Sequence, residues 1–219
     1  MIRRNYQKEL EALINGLNGR RPTLLLHSCC APCSSYCLRY LSGYFDITDM
    51  YYNPNITDRE EYDKRSLELQ RLIGIYNSER AREYGGASLP EELSIKYIEG
   101  EYEPGLFFSL VKGLEDVPEG GKRCYICYEL RLRKAALTAR EKGLEYFTTT
   151  LSISPLKNAV WINEIGERLS EEIGVKHLPS DFKKRDGFKI STELSARYGL
   201  YRQDYCGCVF SRRQENQLK

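Results

Sequence analysis

Residues 23–33 of the chain read Thr-Leu-Leu-Leu-His-Ser-Cys-Cys-Ala-Pro-Cys, and this stretch indicates the fold. The short leucine-rich run from Thr23 to His27 is typical of a buried β-strand. It ends almost directly at Cys29, and we expect a helix to begin near Ser34. A strand followed at once by a helix is the first half of a parallel β-α-β unit.

The rest of the chain continues this alternation. Further strands are predicted at 46–52, 94–99, 145–150 and 175–178. Helices are predicted over 5–18, 58–84, 124–142 and 158–173, with shorter ones within 105–121, at 193–198 and after Cys208. We therefore expect a single α/β domain over residues 1–219, in which helices flank a parallel sheet, cysteine-rich loops are inserted and the C-terminal segment is basic. Ligands bind such sheets beyond the carboxyl ends of the strands, where the first cysteines fall.

Composition is that of an ordinary globular protein, with 41% hydrophobic and 29% charged residues and a net charge of +2. The start lacks the apolar core of a signal peptide, and no apolar run approaches the length of a membrane span. These features predict a cytoplasmic protein without a membrane partner. Thiols stay reduced in the cytoplasm, so the cysteines are expected to be metal-binding or catalytic rather than disulfide-bonded.

Seven of the eight cysteines fall in three groups: Cys29, Cys30 and Cys33; Cys124 and Cys127; Cys206 and Cys208. One zinc ion or one four-iron cluster takes about four thiolates, so seven indicate more than one metal or a metal beside a redox pair. The chain has only two histidines, which favours all-thiolate iron–sulfur ligation over zinc. His27 is expected to be a core histidine, and Cys37 is expected to be a buried apolar residue rather than a ligand.

The spacing within each cysteine group suits a shared site. If Cys124 and Cys127 open a helix, they lie on one face, where the helix N-terminus favours thiolates. Gly207, between Cys206 and Cys208, would let the backbone approach a cluster closely.

Polar and basic residues near the cysteines are candidates for substrate binding. Asn53 and Asn55 follow one predicted strand, and the polar stretch 148–155 comes at the end of another. Their side chains could bond a sugar, base or phosphate, or equally cap a helix. Basic residues gather near the second and third cysteine groups, at 183–185, at 131–134, at Arg197 and Arg202, and at 212–213. A solvated surface is the plainer interpretation of any one such run. Four tyrosines could stack on RNA bases, although core packing explains most of them: Tyr125, Tyr128, Tyr201 and Tyr205.

Taken together, five stretches resemble the QueH-type epoxyqueuosine reductases, a cobalamin-independent family that completes queuosine in tRNA. The matching stretches are LLLHSCCAPCSSYCL (24–38), MYYNPNI (50–56), RCYICYELRLRKAA (123–136), YFTTTLSISPLKN (146–158) and GLYRQDYCGCVFS (199–211). The ordered set of double cysteine, CxxC and CGC is highly specific, and the resemblance covers nearly the whole chain.

The resemblance implies a fold akin to the PP-loop (HUP-like) nucleotide hydrolases, with SCCAPC replacing the glycine-rich nucleotide motif. It also implies a [4Fe-4S] cluster with an additional mononuclear iron, and no bound cobalamin, flavin or nicotinamide. The implied substrate is tRNA carrying epoxyqueuosine at the anticodon wobble position, whose epoxide is reduced to an olefin. Electrons would come from an external reductase or ferredoxin-like donor.

Residue roles follow from the same resemblance. All seven grouped cysteines are implied metal ligands. Cys30, Cys124, Cys127 and one CGC cysteine are assigned to the cluster; Cys29, Cys33 and the other CGC cysteine are assigned to the second iron. The residues assigned to catalysis are Cys29, Cys33 and Cys208. Those assigned to substrate binding are Asn53, Asn55, Thr149, Ser152 and Arg202. The proton source is left open between Tyr128, Asp204 and water.

Two other functions remain open. An iron–sulfur PP-loop-like tRNA sulfur-transfer enzyme would need an ATP-binding loop of the SGGxDS kind after the first strand, and the residues from His27 to Cys30 do not supply one. A zinc-stabilised RNA-binding module would be colourless, whereas an iron–sulfur protein would be brown.

Overall fold

The computed structural model describes residues 4–86 and 88–212, so that Arg213, at the end of one basic run, lies outside it. The α-helices are α1 Tyr6–Asn15, α2 Ala31–Leu41, α3 Arg59–Glu83, α4 Pro104–Leu110, α5 Lys122–Glu141, α6 Ala159–Ile173 and α7 Gly187–Arg197. The strands are β1 Thr23–Ser28, β2 Asp46–Tyr51, β3 Lys96–Glu99, β4 Tyr146–Thr149 and β5 Lys176–His177. Among these helices, none is both apolar enough and long enough to cross a membrane.

The five strands form one sheet in the order β3-β2-β1-β4-β5, and every neighbouring pair is parallel. The predicted α/β class is thereby confirmed. The likeness to PP-loop proteins is a separate matter and stays a prediction.

Two layers of apolar packing cover the sheet, one on each face. Successive leucines of β1 point to opposite faces, as the two-residue period of a strand requires. Leu24 and Leu26 belong to the core on the side of α1, α2 and α3, whereas Leu25 belongs to the core on the side of α5 and α6. All three side chains are fully buried, which explains why β1 is apolar along its length.

Two helices begin earlier than the sequence pattern predicts. Helix α2 starts at Ala31 rather than near Ser34, because Pro32 in its first turn fits a helix N-terminus. Helix α7 covers Gly187–Arg197 rather than 193–198 alone. Before α7, the basic residues 183–185 form a turn, and the helix begins at Gly187.

Candidate metal centre

The first cysteine group lies where the winding of the sheet changes direction. Strand β1 pairs with β2 on one side and with β4 on the other. The segments after β1 and β4 therefore meet at the carboxyl edge of the sheet, the usual position of ligand sites in open α/β sheets. Here the backbone N–H of Cys29 donates to Thr150 Oγ1 at 3.4 Å.

Three thiols converge at this edge. The sulfur atoms of Cys29, Cys30 and Cys33 all lie within 4.8 Å of one another, and the Sγ atoms of Cys29 and Cys30 are 3.8 Å apart. Cys30 is the N-cap residue of α2, so Cys33 returns to its neighbours one helical turn later. All eight cysteines of the chain are free thiols.

A buried polar network holds the turn that carries these thiols. The Ser28 hydroxyl donates to Asp49 Oδ2 at 2.6 Å, and the Ser34 hydroxyl lies 2.8 Å from both Ser28 Oγ and the Cys30 carbonyl oxygen. Asn53 Nδ2 donates to the Ser28 carbonyl oxygen at 2.9 Å. Burial raises the pKa of Asp49 to about 8, so a neutral carboxylic acid supports the network over the acidic range.

Hydrogen bonds among the three thiols favour only one thiolate. The pKa of Cys29 lies well below its ordinary value because the Cys30 and Cys33 thiols donate to its sulfur. The same bonds, together with burial, raise the pKa of Cys30 to about 12 and that of Cys33 well above its usual range. A bound cation is what would let all three sulfurs ionise together, so this soft donor set fits a thiophilic metal.

The other four grouped cysteines line a second, smaller cavity of about 20 Å³. Cys124 lies in the first turn of α5, as predicted, with Cys127 one turn later. Gly120 N–H donates to Cys124 Sγ at 3.2 Å, and Cys206 Sγ lies 3.2 Å from the Ser211 hydroxyl oxygen. Four sulfurs around one small cavity match the number that a four-iron cluster takes.

Gly207 has a conformation and surroundings that require glycine. Its φ of +92° lies in the left-handed region, and a Cβ atom there would lie 2.6 Å from Ile56 Cγ1. The glycine therefore allows the chain to turn against Ile56, which places Cys206 and Cys208 on the cavity.

The two cavities meet at a common wall. The larger one has a volume of about 180 Å³ and is lined by Cys29 and Cys33. Cys206, Arg131 and Lys157 line both cavities. Cys208, one of the predicted catalytic residues, lines the smaller cavity.

Buried cations surround the thiols. Arg131 is 4% exposed and donates from Nε to the Cys127 carbonyl oxygen at 3.1 Å. Arg65 is 2% exposed and pairs with Glu61 at 2.6 Å. Lys157 Nζ is 2.8 Å from Glu119 Oε1. Sequence reasoning placed Arg131 in a basic run but missed Arg65 and Lys157, because α3 is charged along most of its length and Lys157 is a single charge in a loop.

Most of the predicted substrate-binding side chains serve the protein's own structure. Thr149 bonds His27, and Ser152 lies 3.0 Å from the Ser180 hydroxyl oxygen. Asn55 donates to the Cys206 carbonyl oxygen at 3.2 Å. Asn53, Thr149 and Ser152 are fully buried. Of the five, Arg202 lines the larger cavity and Asn55 lines the smaller one.

The remaining candidates are placed as follows. His27 is fully buried, with Nδ1 2.8 Å from Thr149 Oγ1 and Nε2 2.9 Å from the Tyr52 carbonyl oxygen, which confirms it as a core histidine. Cys37 is fully buried in the apolar core. Tyr128 lines the smaller cavity and Asp204 lines the larger one.

Comparison with known proteins gives one consistent result. The family described as "Epoxyqueuosine reductase QueH" matches residues 24–214. A protein of that name from Staphylococcus epidermidis is 44% identical over 211 residues, which cover 94% of this chain and 84% of the relative. One from Streptococcus pyogenes is 40% identical over 195 residues, which cover 89% of this chain and 72% of the relative. One from Thermotoga maritima is 36% identical over 195 residues, which cover 86% of this chain and 90% of the relative.

Proposed function

Because the chain belongs to the epoxyqueuosine reductase QueH family, we propose that it reduces the epoxide of epoxyqueuosine in tRNA to an olefin, giving queuosine. It is thus an oxidoreductase that acts in tRNA processing. The observation that carries the proposal is the convergence of three thiols at the switch point of the sheet, beside a cavity open to a substrate.

The reaction consumes two electrons and two protons, and the epoxide oxygen leaves as water. The seven grouped cysteines would hold a [4Fe-4S] cluster and an additional iron. The four sulfurs on the smaller cavity suit the cluster, whereas Cys29, Cys30 and Cys33 suit the second metal. When bound, these groups would supply electrons and Lewis acidity toward the epoxide oxygen.

This grouping differs from the one implied by the resemblance, which assigns Cys30 to the cluster and one CGC cysteine to the second iron. Cys206 lines both cavities, which supports it as the CGC cysteine that could serve either group.

The protein's own residues supply charge balance and a route for protons. Arg131 and Lys157 lie between the two thiol groups, where their charges offset those of the thiolates. Asp204 is exposed and lines the larger cavity, which supports it as one candidate proton donor beside Tyr128 and water. Tyr128 is buried at the smaller cavity, where burial raises its pKa to about 12.

The partners in this proposal are tRNA with epoxyqueuosine at the wobble position and a separate, ferredoxin-like electron donor. A cytoplasmic location would give access to both. Neither the fold nor the comparisons favour a sulfur-transfer enzyme or a zinc-stabilised RNA-binding module.

The experiment that tests the cofactor assignment is the measurement of iron and acid-labile sulfide in anaerobically purified protein, followed by EPR after reduction. About five irons and about four sulfides per chain support a four-iron cluster with one additional iron. Zinc without sulfide would overturn the redox mechanism.

A further inference from the structure

Two large apolar side chains are exposed on the larger cavity. Leu156 is 71% exposed and Phe188 is 40% exposed, and both line the cavity that Cys29 and Cys33 line. A single exposed apolar residue needs no explanation, but two at one cavity that is otherwise rich in charged groups point to a ligand with an apolar surface.

The position of Phe188 is fixed by the turn that precedes it. Arg185 and Asp186 have φ values of +53° and +59°, in the left-handed region that non-glycine residues seldom adopt. Gly187 follows, and a Cβ atom there would lie 1.9 Å from the Phe182 carbonyl oxygen. This tightly packed turn starts α7 and presents Phe188 to the cavity from a rigid element.

A third side chain on the same cavity, that of Gln203, carries an acceptor atom with no hydrogen-bond partner among the described residues. The amide oxygen of Gln203 is buried, and within the described residues nothing donates to it. Buried polar atoms are nearly always paired, so this acceptor points to a donor that belongs to a ligand.

We propose that Leu156, Phe188 and Gln203 form a nucleobase subsite for a guanine-like base. The apolar side chains would contact the faces of the base, and Gln203 Oε1 would accept from the N–H groups on its Watson–Crick edge. This inference deepens the proposed function and rests on it, since the base of epoxyqueuosine carries the donors of guanine.

The chemistry of the substrate agrees with such a subsite. Enzymes that act on a base in a folded nucleic acid take the base out of its stack and hold it between apolar or aromatic side chains. Single-stranded RNA is read in the same way, by stacking and by hydrogen bonds to base edges. With the base held by Phe188, the substituent that bears the epoxide could extend toward Cys29 and Cys33, which line the same cavity.

Binding of anticodon stem-loops to the anaerobically purified holoprotein tests the stacking contacts. Phe188→Ala and Leu156→Ala should each weaken binding of a guanine-containing stem-loop by about tenfold, and Phe188→Trp should restore it. Phe108→Ala is the matched control, because Phe108 on α4 is 43% exposed and does not line the larger cavity. All these variants should keep the iron content of the wild type.

The hydrogen bond is tested by discrimination between bases. Wild-type protein should bind a stem-loop with guanine at the wobble position more tightly than one with adenine, by at least about fivefold. Gln203→Met should remove most of that difference, and Gln203→Glu, which keeps an acceptor, should retain it.

The outcomes separate this inference from the proposed function. If wild-type protein converts epoxyqueuosine but the Phe188, Leu156 and Gln203 variants bind like wild type, the subsite is wrong and the reaction stands. If wild-type protein converts nothing but the variants lose guanine binding as stated, the subsite stands and the reaction is wrong.

Discussion

The Thr150 hydroxyl contacts Cys29 twice: it accepts from the Cys29 backbone N–H at 3.4 Å and donates to Cys29 Sγ at 3.7 Å. The two residues are 121 positions apart in the chain. They meet because β1 and β4 are neighbours in the sheet, and each residue directly follows its strand. The topology of the sheet thus provides a hydrogen-bond donor to the thiol with the lowest pKa of the group.

Thr150→Val should therefore weaken metal binding with little change of shape. Valine preserves the volume but removes the hydroxyl that supports Cys29. Loss of a side chain that hydrogen-bonds a metal ligand typically weakens metal binding 10- to 100-fold. Iron retention during titration with a chelator measures the effect. Thr138→Val is the control and should behave like wild type, because Thr138 is half-buried on α5 and lines neither cavity. Equal iron retention in the two variants would rule out a supporting role for Thr150.

Cys29→Ser should abolish turnover, because an alcohol is a poor substitute for a thiolate ligand at neutral pH. We expect a loss of at least about 100-fold in kcat together with a reduced iron content. Cys37→Ala provides the matched control, since Cys37 is buried in the apolar core. Full activity of Cys29→Ser would remove Cys29 from the metal centre.

Much of the fold could be predicted from the sequence, because local patterns determine it. The leucines of β1 and the apolar spacing of the helices reveal the alternation of strands and helices. Thiolate chemistry and the position of Cys29 after β1 predict that the three cysteine groups meet, and the structure brings them to two adjoining cavities. The helix that starts at Lys122 places Cys124 and Cys127 as expected.

The polar side chains near the site could not be predicted in the same way. Asn53 and Thr149 do lie at the carboxyl edge of the sheet, but they bond the Ser28 carbonyl and His27 instead of facing the cavity. A sequence pattern gives the edge on which a residue lies, not the direction of its side chain in an irregular segment. For the same reason no sequence pattern singles out Leu156 or Gln203, because both lie in irregular segments.

Gly207→Ala should disturb both cysteines beside it. The alanine would have to adopt a left-handed φ and would also clash with Ile56, which lies 2.6 Å from the new Cβ. A loss of about 1–3 kcal/mol in the free energy of unfolding is expected, together with a loss of iron. Gly143→Ala separates the effect of the left-handed φ from that of the clash, because Gly143 has a φ of +66° with open space around it. This control should lose some stability but keep its iron.

Asp49→Asn should alter how stability depends on pH. Burial raises the pKa of Asp49 from 3.8 to about 8, so between these values the folded protein binds more protons than the unfolded chain. The free energy of unfolding contributed by Asp49 therefore falls as the pH rises through this window. Asparagine does not titrate. The free energy of unfolding of the variant should therefore rise relative to that of wild type, by up to about 1.4 kcal/mol for each pH unit in this window.

Urea unfolding of wild type and Asp49→Asn at a series of pH values measures this difference. The two proteins share every other titrating group, so the comparison reports Asp49 together with its electrostatic coupling to Cys29 and Cys37. A stability difference that is independent of pH between 3.8 and about 8 would show that Asp49 is charged throughout that range.

The central claim is that this chain removes the epoxide oxygen from a tRNA-borne nucleoside at its thiol-lined centre. Its most direct test is to incubate anaerobically purified, reduced protein with tRNA carrying epoxyqueuosine, digest the tRNA and identify the nucleosides by mass spectrometry. We expect epoxyqueuosine to be replaced by queuosine, with the loss of one oxygen atom per nucleoside, and no conversion by Cys29→Ser. Epoxyqueuosine left unchanged by iron-loaded, reduced wild-type protein would contradict the claim.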